Sequence, residues 1–255
     1  MFANERMSYI CERLKKSGAV RTAQISRELN VSVETVRRDF LALEEENRLV
    51  RVHGGAVVPV GSVERLSLQD RIGVHREEKR VLSEAACDFI REGDIIAIDT
   101  GSTAAEFAEV LRLRFNELTV VTHSLDVFER LQGKTGFKII LVGGVFLPEE
   151  QAFCGLTALE TYKMLHFDKV FIMPAAVSLK NGITDCGEVL MTVERQMLDS
   201  ADEVFVLADS DKFEKTALYR LASMSTRFTL VTDSWLSEEL KALYEENGIR
   251  VAVKG

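Results

Sequence analysis

Two hydrophobic rhythms divide this chain. In its early part the apolar positions recur at helical spacing: Met7, Ile10, Cys11 and Leu14 within residues 3 to 17, then Ile25 and Leu29, then Val33, Val36, Phe40 and Leu43. From Asp94 onward short, unbroken, largely β-branched runs take over, at residues 95–98, 119–122, 138–142, 169–173, 203–207, 228–231 and 249–253, with helical stretches between them. Runs that do not alternate belong to strands buried on both faces, so the second rhythm predicts a mainly parallel sheet covered by helices. The fold class expected is α/β, a small helical domain followed by a larger sheet domain. No internal repeat or low-complexity segment interrupts it.

The stretch from Thr22 to Phe40 reads as two short helices joined by a tight corner. Asn30 tolerates a left-handed conformation there, and only Asn30, Val31 and Ser32 separate the helices. Thr22 and Ser32 stand at the expected N-caps. The second helix then turns Glu34, Thr35, Arg37 and Arg38 outward, the side chains with which a helix in a major groove contacts base edges and phosphates. Taken alone, the two arginines are equally consistent with solvated charges paired with Glu34 or Asp39. The sequel Leu49-Val-Arg-Val-His-Gly-Gly-Ala56 adds a strand, a glycine turn and a return strand, which together make a wing with Arg51 and His53 near its tip. With the support helix at 3 to 17, closed by Gly18, this is a winged helix-turn-helix over residues 1–58. Pro59-Val-Gly-Ser62 opens a linker that runs through the polar, charge-mixed stretch 67 to 76, so the linker spans 59–76. The second domain spans 77–255 and begins with a long helix from about Glu77 to Arg91, closed by Gly93.

Ligands in parallel sheets bind beyond the carboxyl ends of the strands, and several turns there carry small, hydroxylated residues. Asp99-Thr-Gly-Ser-Thr103 opens into a helix at 104 to 113, where Gly101 permits close backbone approach and Ser102, Thr103 and the free amides suit a phosphate. Thr122-His-Ser124, Gly143-Gly144 and the turn from Ala208 to Phe213, which contains Lys212, follow later strands. Each is also what an ordinary strand-to-helix turn contains; together on one edge they favour a small phosphorylated or polyhydroxylated ligand. Asp185 and Glu188 are either partners for sugar hydroxyls or a cap for the helix at 189 to 201.

Composition narrows the setting. The 255 residues are 46% apolar, ample for real cores, yet the longest apolar run, Val170 to Val177, contains Pro174 and is too short to span a bilayer. No apolar signal region opens the chain, and Cys11, Cys87, Cys154 and Cys186 are scattered without a CxxC pair. Buried free thiols in a reducing cytoplasm are therefore expected, with no metal site and no cofactor. The net charge of −8 is uneven: residues 1–58 hold 10 Lys/Arg against 8 Asp/Glu, while the remainder holds 22 against 32. An acidic body that DNA repels needs its locally basic head to bind, twice over in a dimer.

The motifs Ser-Val-Glu-Thr-Val-Arg-Arg-Asp, Arg-Val-His-Gly-Gly-Ala, Asp-Thr-Gly-Ser-Thr, Val-Gly-Gly and Leu-Ala-Asp-Ser-Asp-Lys-Phe resemble those of the DeoR family of transcriptional regulators, nearly end to end. The resemblance implies a bacterial repressor of sugar or polyol catabolism genes that binds double-stranded operator DNA as a homodimer or homotetramer. It also implies a body of ribose-5-phosphate-isomerase-like type that senses a sugar phosphate, which relieves or, alternatively, enhances DNA binding. Asp-Thr-Gly-Ser-Thr-Ala, Val-Thr-His-Ser and Val-Leu-Ala-Asp-Ser-Asp-Lys are similar to segments of that isomerase, and Glu194 falls where it keeps its general base. However, the isomerase's Asp-Gly-Ala-Asp segment corresponds here to Met173-Pro-Ala-Ala176, and its catalytic lysine and glycine run are replaced by residues 181–187. Proton transfer between carbons needs a positioned base and groups that stabilise the enediolate. The resemblance therefore implies a retained binder rather than an enzyme, with Glu194 expected on a solvent-facing helix surface.

Overall fold

The computed structural model describes residues 3–17, 19–45, 48–52, 54–57 and 68–254. The chain divides into two compact units, Met1–Leu66 and Ser67–Gly255. Gly18, His53, the boundary at Val58 and the linker start at Pro59 to Ser62 lie outside the described residues.

In the first unit, α1 (Ala3–Ser17), α2 (Thr22–Leu29) and α3 (Val33–Glu45) pack around Ile10, Leu14, Ile25, Val36, Phe40 and Leu43, all buried as their spacing predicts. Val33 departs from the expected apolar face and is 41% exposed. It opens α3 at the corner, ahead of the turn that packs. Three short strands, β1 (Ala19–Arg21), β2 (Val50–Val52) and β3 (Gly55–Val57), form an antiparallel sheet in the order β1-β3-β2. The hairpin of β2 and β3 is the expected wing; β1 carried no period to read. Gly55 is required where β3 meets β1, because a Cβ there would run into the Val20 carbonyl.

The second unit opens with α4 (Leu68–Ile72) and α5 (Arg76–Cys87). The stretch read as connector is thus partly helical: Leu68 is buried, and its amide donates to the Glu149 carbonyl at 2.9 Å. Next come β4 (Ile95–Ile98), α6 (Ser102–Arg114), β5 (Leu118–Thr122), α7 (Leu125–Leu131), β6 (Phe137–Leu141) and the hairpin β7 (Val145–Leu147) and β8 (Ala152–Cys154). They are followed by α8 (Leu156–Lys163), β9 (Phe167–Ile172), β10 (Ala176–Ser178), β11 (Gly182–Asp185), α9 (Glu188–Asp199) and β12 (Ala201–Leu207). A 3-10 turn at Ser210–Lys212, β13 (Tyr219–Ala222), β14 (Phe228–Thr232), α10 (Glu238–Glu246) and β15 (Arg250–Val253) complete the unit.

The seven runs foreseen from the sequence form one sheet, ordered β15-β14-β12-β9-β4-β5-β6, with every neighbouring pair parallel. Residues alternate between two cores: Val170, Ile172, Val204 and Val206 face one, with Tyr162, Met197 and Tyr244, while Phe171, Phe205 and Leu207 face the other, with Leu82 and Phe107. Burial on both faces explains the unbroken runs, each large side chain contributing about 1.5–3 kcal/mol of transfer free energy. The small sheets β7-β8 and β10-β11-β13 were not legible as strands. Chain order leaves β4 toward β5 and β6 in one direction and continues from β9 toward β12, β14 and β15 in the other. The crevice beyond β4 and β9 is therefore the topological switch point, where such sheets bind ligands.

Cys11, Cys87 and Cys154 are buried free thiols as expected, whereas Cys186 is exposed, in the turn between β11 and α9. Among the described residues no helix is long and apolar enough to cross a membrane.

Candidate DNA-reading helix and ligand site

The corner of the helix-turn-helix is built as its residues suggest. Asn30 adopts φ 51°, ψ 47°, and the Val31 amide donates to the Ser26 carbonyl at 3.1 Å while Ser26 Oγ donates to the Val31 carbonyl at 2.6 Å. Ser32 caps α3, accepting from the Thr35 amide at 3.1 Å, with the two hydroxyls 2.8 Å apart. Thr22 does not cap α2. It is the first helical residue, buried, because the chain enters directly from β1, and its amide bonds the Gly54 carbonyl at 2.9 Å.

Glu34, Arg37 and Arg38 stand exposed on α3. Arg37 lies 3.6 Å from Glu34, a solvated pair of little energetic weight. Arg38 has no ion-pair partner among the described residues. Its neighbour Asp39 is buried and accepts two bonds from Arg6, at 2.8 and 2.9 Å, and so leaves Arg38 uncompensated. Arg51 does not reach for the wing tip. Its amide and guanidinium both bond Glu44 of α3, at 2.9 and 2.6 Å, which holds the Glu44 carboxyl below its usual range. His53, the other wing candidate, lies outside the described residues.

At the switch point, Gly101 takes φ 115°, a conformation suited to glycine, and stands at the N-cap of α6, where no side chain caps the helix. Ser102 and Thr103 follow it, both buried, and the opening amides of α6 receive no N-cap side chain as acceptor. Asp99 supports this loop from beneath: buried, it accepts from the Met173 amide at 3.1 Å, and its other oxygen lies 3.6 Å from His123 Nε2. His123 Nδ1 is 3.1 Å from the Tyr162 hydroxyl, and complete burial pulls the imidazole down to about 4, neutral near pH 7.

Three cations lie within electrostatic reach of one another, and one of them, Arg71, approaches the loop. Arg71 of α4 pairs with Glu150, and its guanidinium lies 3.9 Å from where a Cβ on Gly101 would stand. Lys79 of α5, only 4% exposed, donates to the carbonyls of Arg71, at 2.8 Å, and Val74. Lys212 donates to the Pro174 carbonyl at 2.8 Å. Desolvation, and secondarily repulsion from Lys212 and Arg71, pulls the Lys79 ammonium down to about 8, against the opposing attraction of Asp209 and Glu106. Neither Arg71 nor Lys79 was read from the sequence as a site residue. The available signal was Lys79 itself, which shares a helical stripe with Leu82, Ser83 and Ala86, all buried.

Other candidates hold the edge together rather than line it. Thr122 and Ser124 are buried; Thr122 Oγ1 accepts from the Ser124 amide at 3.0 Å, and Ser124 Oγ caps α7 by accepting from Val127 at 3.3 Å. Gly144 is needed because a Cβ would strike the Cys154 carbonyl; Gly143 is open, but both follow β6, two strands from β4. Asp185 accepts from the amides of Ala175, Cys186 and Gly187, at 3.2, 2.6 and 3.2 Å, and so orders the approach to α9. Glu194 is buried, 4% exposed, contrary to the solvent-facing position expected. The Met173–Ala176 segment supplies backbone only, gripped by Asp99, Lys212 and Asp185.

A winged helix-turn-helix joined to a parallel-sheet domain with a cationic switch-point crevice defines a DNA-binding regulator with a sensor. Residues 6–60 match the DeoR-like helix-turn-helix domain, and residues 74–234 match the DeoR C terminal sensor domain. The chain is 32% identical to the HTH-type transcriptional repressor GlcR of Bacillus subtilis over 99% of this chain and 97% of that one. It is 29% identical to the L-fucose operon activator of Haemophilus influenzae over 96% of this chain and 98% of that one. Ribose 5-phosphate isomerase A from Methanocaldococcus jannaschii overlays with a TM-score of 0.40 at 17% identity, covering 55% of each chain. This chain belongs to the DeoR family of transcriptional regulators.

Proposed function

We propose that the chain represses genes of sugar or polyol catabolism, and that a sugar phosphate bound at the switch point weakens its hold on operator DNA. The observation that carries this reading is Arg71 beside Gly101 at the uncapped start of α6, with Lys79 and Lys212 within electrostatic reach of it and of each other. A phosphate ester adds an anion to these cations, accepts from the α6 amides and competes with Glu150 for Arg71. Arg71 and Lys79 flank the α4–α5 junction, the first described structure after the DNA-binding unit, so a ligand there biases the segment leading to the head. Two heads in a dimer or tetramer, reading half-sites through Arg37 and Arg38, give enough contacts for specific binding. The body acts as a binder and not as a catalyst, because Met173–Ala176 brings no carboxylate to the crevice.

The test is fluorescence anisotropy of the protein on its own upstream DNA at fixed salt, with and without a panel of sugar phosphates. A coupling of about 1–3 kcal/mol predicts a 5- to 150-fold fall in affinity with one compound. Tighter binding with that compound would reverse the sign; turnover of a panel compound without specific DNA binding would overturn the reading.

A further inference from the structure

Beside the cations lies a cavity of about 220 Å³ lined by His75, Glu78, Asp209, Ser210, Asp211 and Trp235. Its walls are the first turn of α5 and the turns that follow β12 and β14, so it shares elements with Lys79 and Lys212. Two features distinguish it from an ordinary surface crevice. Trp235, the chain's only tryptophan, is 58% exposed at its lip. Asp209 is 4% exposed, lines the cavity, and has no hydrogen-bond partner for its carboxylate among the described residues.

The walls are fixed from below. Asp233, fully buried, accepts from the Ser210 amide at 2.8 Å with one oxygen and from the Trp235 amide at 3.0 Å with the other, and so sets the indole against the 209–212 turn. His75 stands at φ 50°, a left-handed conformation that is uncommon outside glycine and costs about 1–3 kcal/mol where it is strained. Its ring spans the cleft, 3.3 Å from Asp211 and 3.4 Å from Glu78. An exposed aromatic face with carboxylate acceptors around it matches a sugar ring. The C–H face lies on the electron-rich indole face, and the hydroxyls donate to the carboxylates.

We propose that this cleft takes the ring of a cyclic sugar monophosphate: the ring stacks on Trp235, its hydroxyls donate to Asp209 and Asp211, and its phosphate reaches Arg71, Lys79 and Lys212. The assignment rests on the phosphate-sensor reading above and adds a preference to it, for cyclic esters over open-chain polyol phosphates. Trp235 is then a specificity determinant that leaves phosphate capture itself untouched.

The tryptophan supplies its own probe. Intrinsic fluorescence of the full-length protein is titrated with glucose 6-phosphate, fructose 6-phosphate, ribose 5-phosphate, sorbitol 6-phosphate, glycerol 3-phosphate and inorganic phosphate, alongside operator anisotropy. A cyclic ester that shifts operator affinity should change the Trp235 emission. Trp235→Ala should weaken that ester about fivefold to tenfold, Trp235→Phe should restore most of the loss, and inorganic phosphate should bind both variants as it binds the parent protein. An ester that shifts operator affinity equally in the parent and Trp235→Ala, without an emission change, would overturn this cleft assignment and leave the phosphate sensor standing. A stronger response to the open-chain esters would likewise overturn it. If no ester moves operator affinity, the sensor reading itself falls.

Discussion

The head and the body both present cations, but in opposite physical states. On α3 the arginines are solvated, and Arg38 has no ion-pair partner among the described residues, Asp39 being buried against Arg6. In the body the cations are tethered: Arg71 to Glu150, Lys79 to two carbonyls and Lys212 to the Pro174 carbonyl. Solvated cations suit a long polyanion, since they release counterions along it and adjust to its groove. Tethered cations, of which Lys79 is also desolvated, suit one small anion, because their geometry is set beforehand. On the reading proposed above, one chain recognises phosphate twice by different means, and the difference can be tested.

The largest expected effect separates the two units. Phe40→Ala empties the middle of the first unit's core, where Phe40 is fully buried, and should cost that unit about 3–5 kcal/mol. Calorimetry should show the head transition falling while the body transition stays. A body transition that moved by the same amount would mean that the two cores melt as one.

Next is the reading helix. Arg38→Ala should weaken operator binding by about 1–3 kcal/mol at fixed salt with no change in either melting transition. Unaltered operator affinity would remove Arg38 from the interface and return it to a solvated charge. On the body side, Lys79→Met keeps the aliphatic stem and deletes the charge; it should abolish the response to ligand, a coupling of about 1–3 kcal/mol, while basal operator affinity persists. A full response in that variant would take Lys79 out of the ligand site.

The contrast also explains what could be read beforehand. Parallel strands buried on both faces announce themselves as apolar runs, so all seven were legible, and the helix-turn-helix showed in the spacing of Ile25, Leu29, Val36 and Phe40. Short strands such as β1 and β10 hold three residues each, too few for a period. Of the residues proposed for the site, Gly101, Ser102, Thr103 and Lys212 stood out in the sequence because turn chemistry marks them, whereas Arg71 lay in a polar stretch indistinguishable from a linker. Thr122, Ser124 and Asp185 carried the right atoms, but those atoms bond neighbouring backbone amides, a fact that only the fold settles. Glu194 shows the same limit in reverse, since a glutamate in an amphipathic helix gives no sign of facing inward.

The smallest expected effect is the most diagnostic of tethering. Burial and its cationic neighbours leave Lys79 with a pKa of about 8 in the free protein. At pH 8.5 much of that amine is neutral, so binding a phosphate dianion, which favours the ammonium, should draw up to a fraction of a proton from solution. At pH 6.5 Lys79 is already charged, and the ester, with a second pKa near ~6, should release a proton instead, so the sign reverses. Titration calorimetry in buffers of different ionisation enthalpy measures both, and Lys79→Met should erase the uptake at pH 8.5 alone. The same depressed pKa means that the unfolded chain holds this proton more tightly between about 8 and the ordinary lysine value of 10.5. The ligand-free body should therefore gain stability as pH rises through that window. Operator contact through α3 does not engage Lys79, so ligand-free operator binding should show no matching proton uptake. Uptake at pH 8.5 on DNA binding alone would instead place Lys79 in the operator response without any ligand.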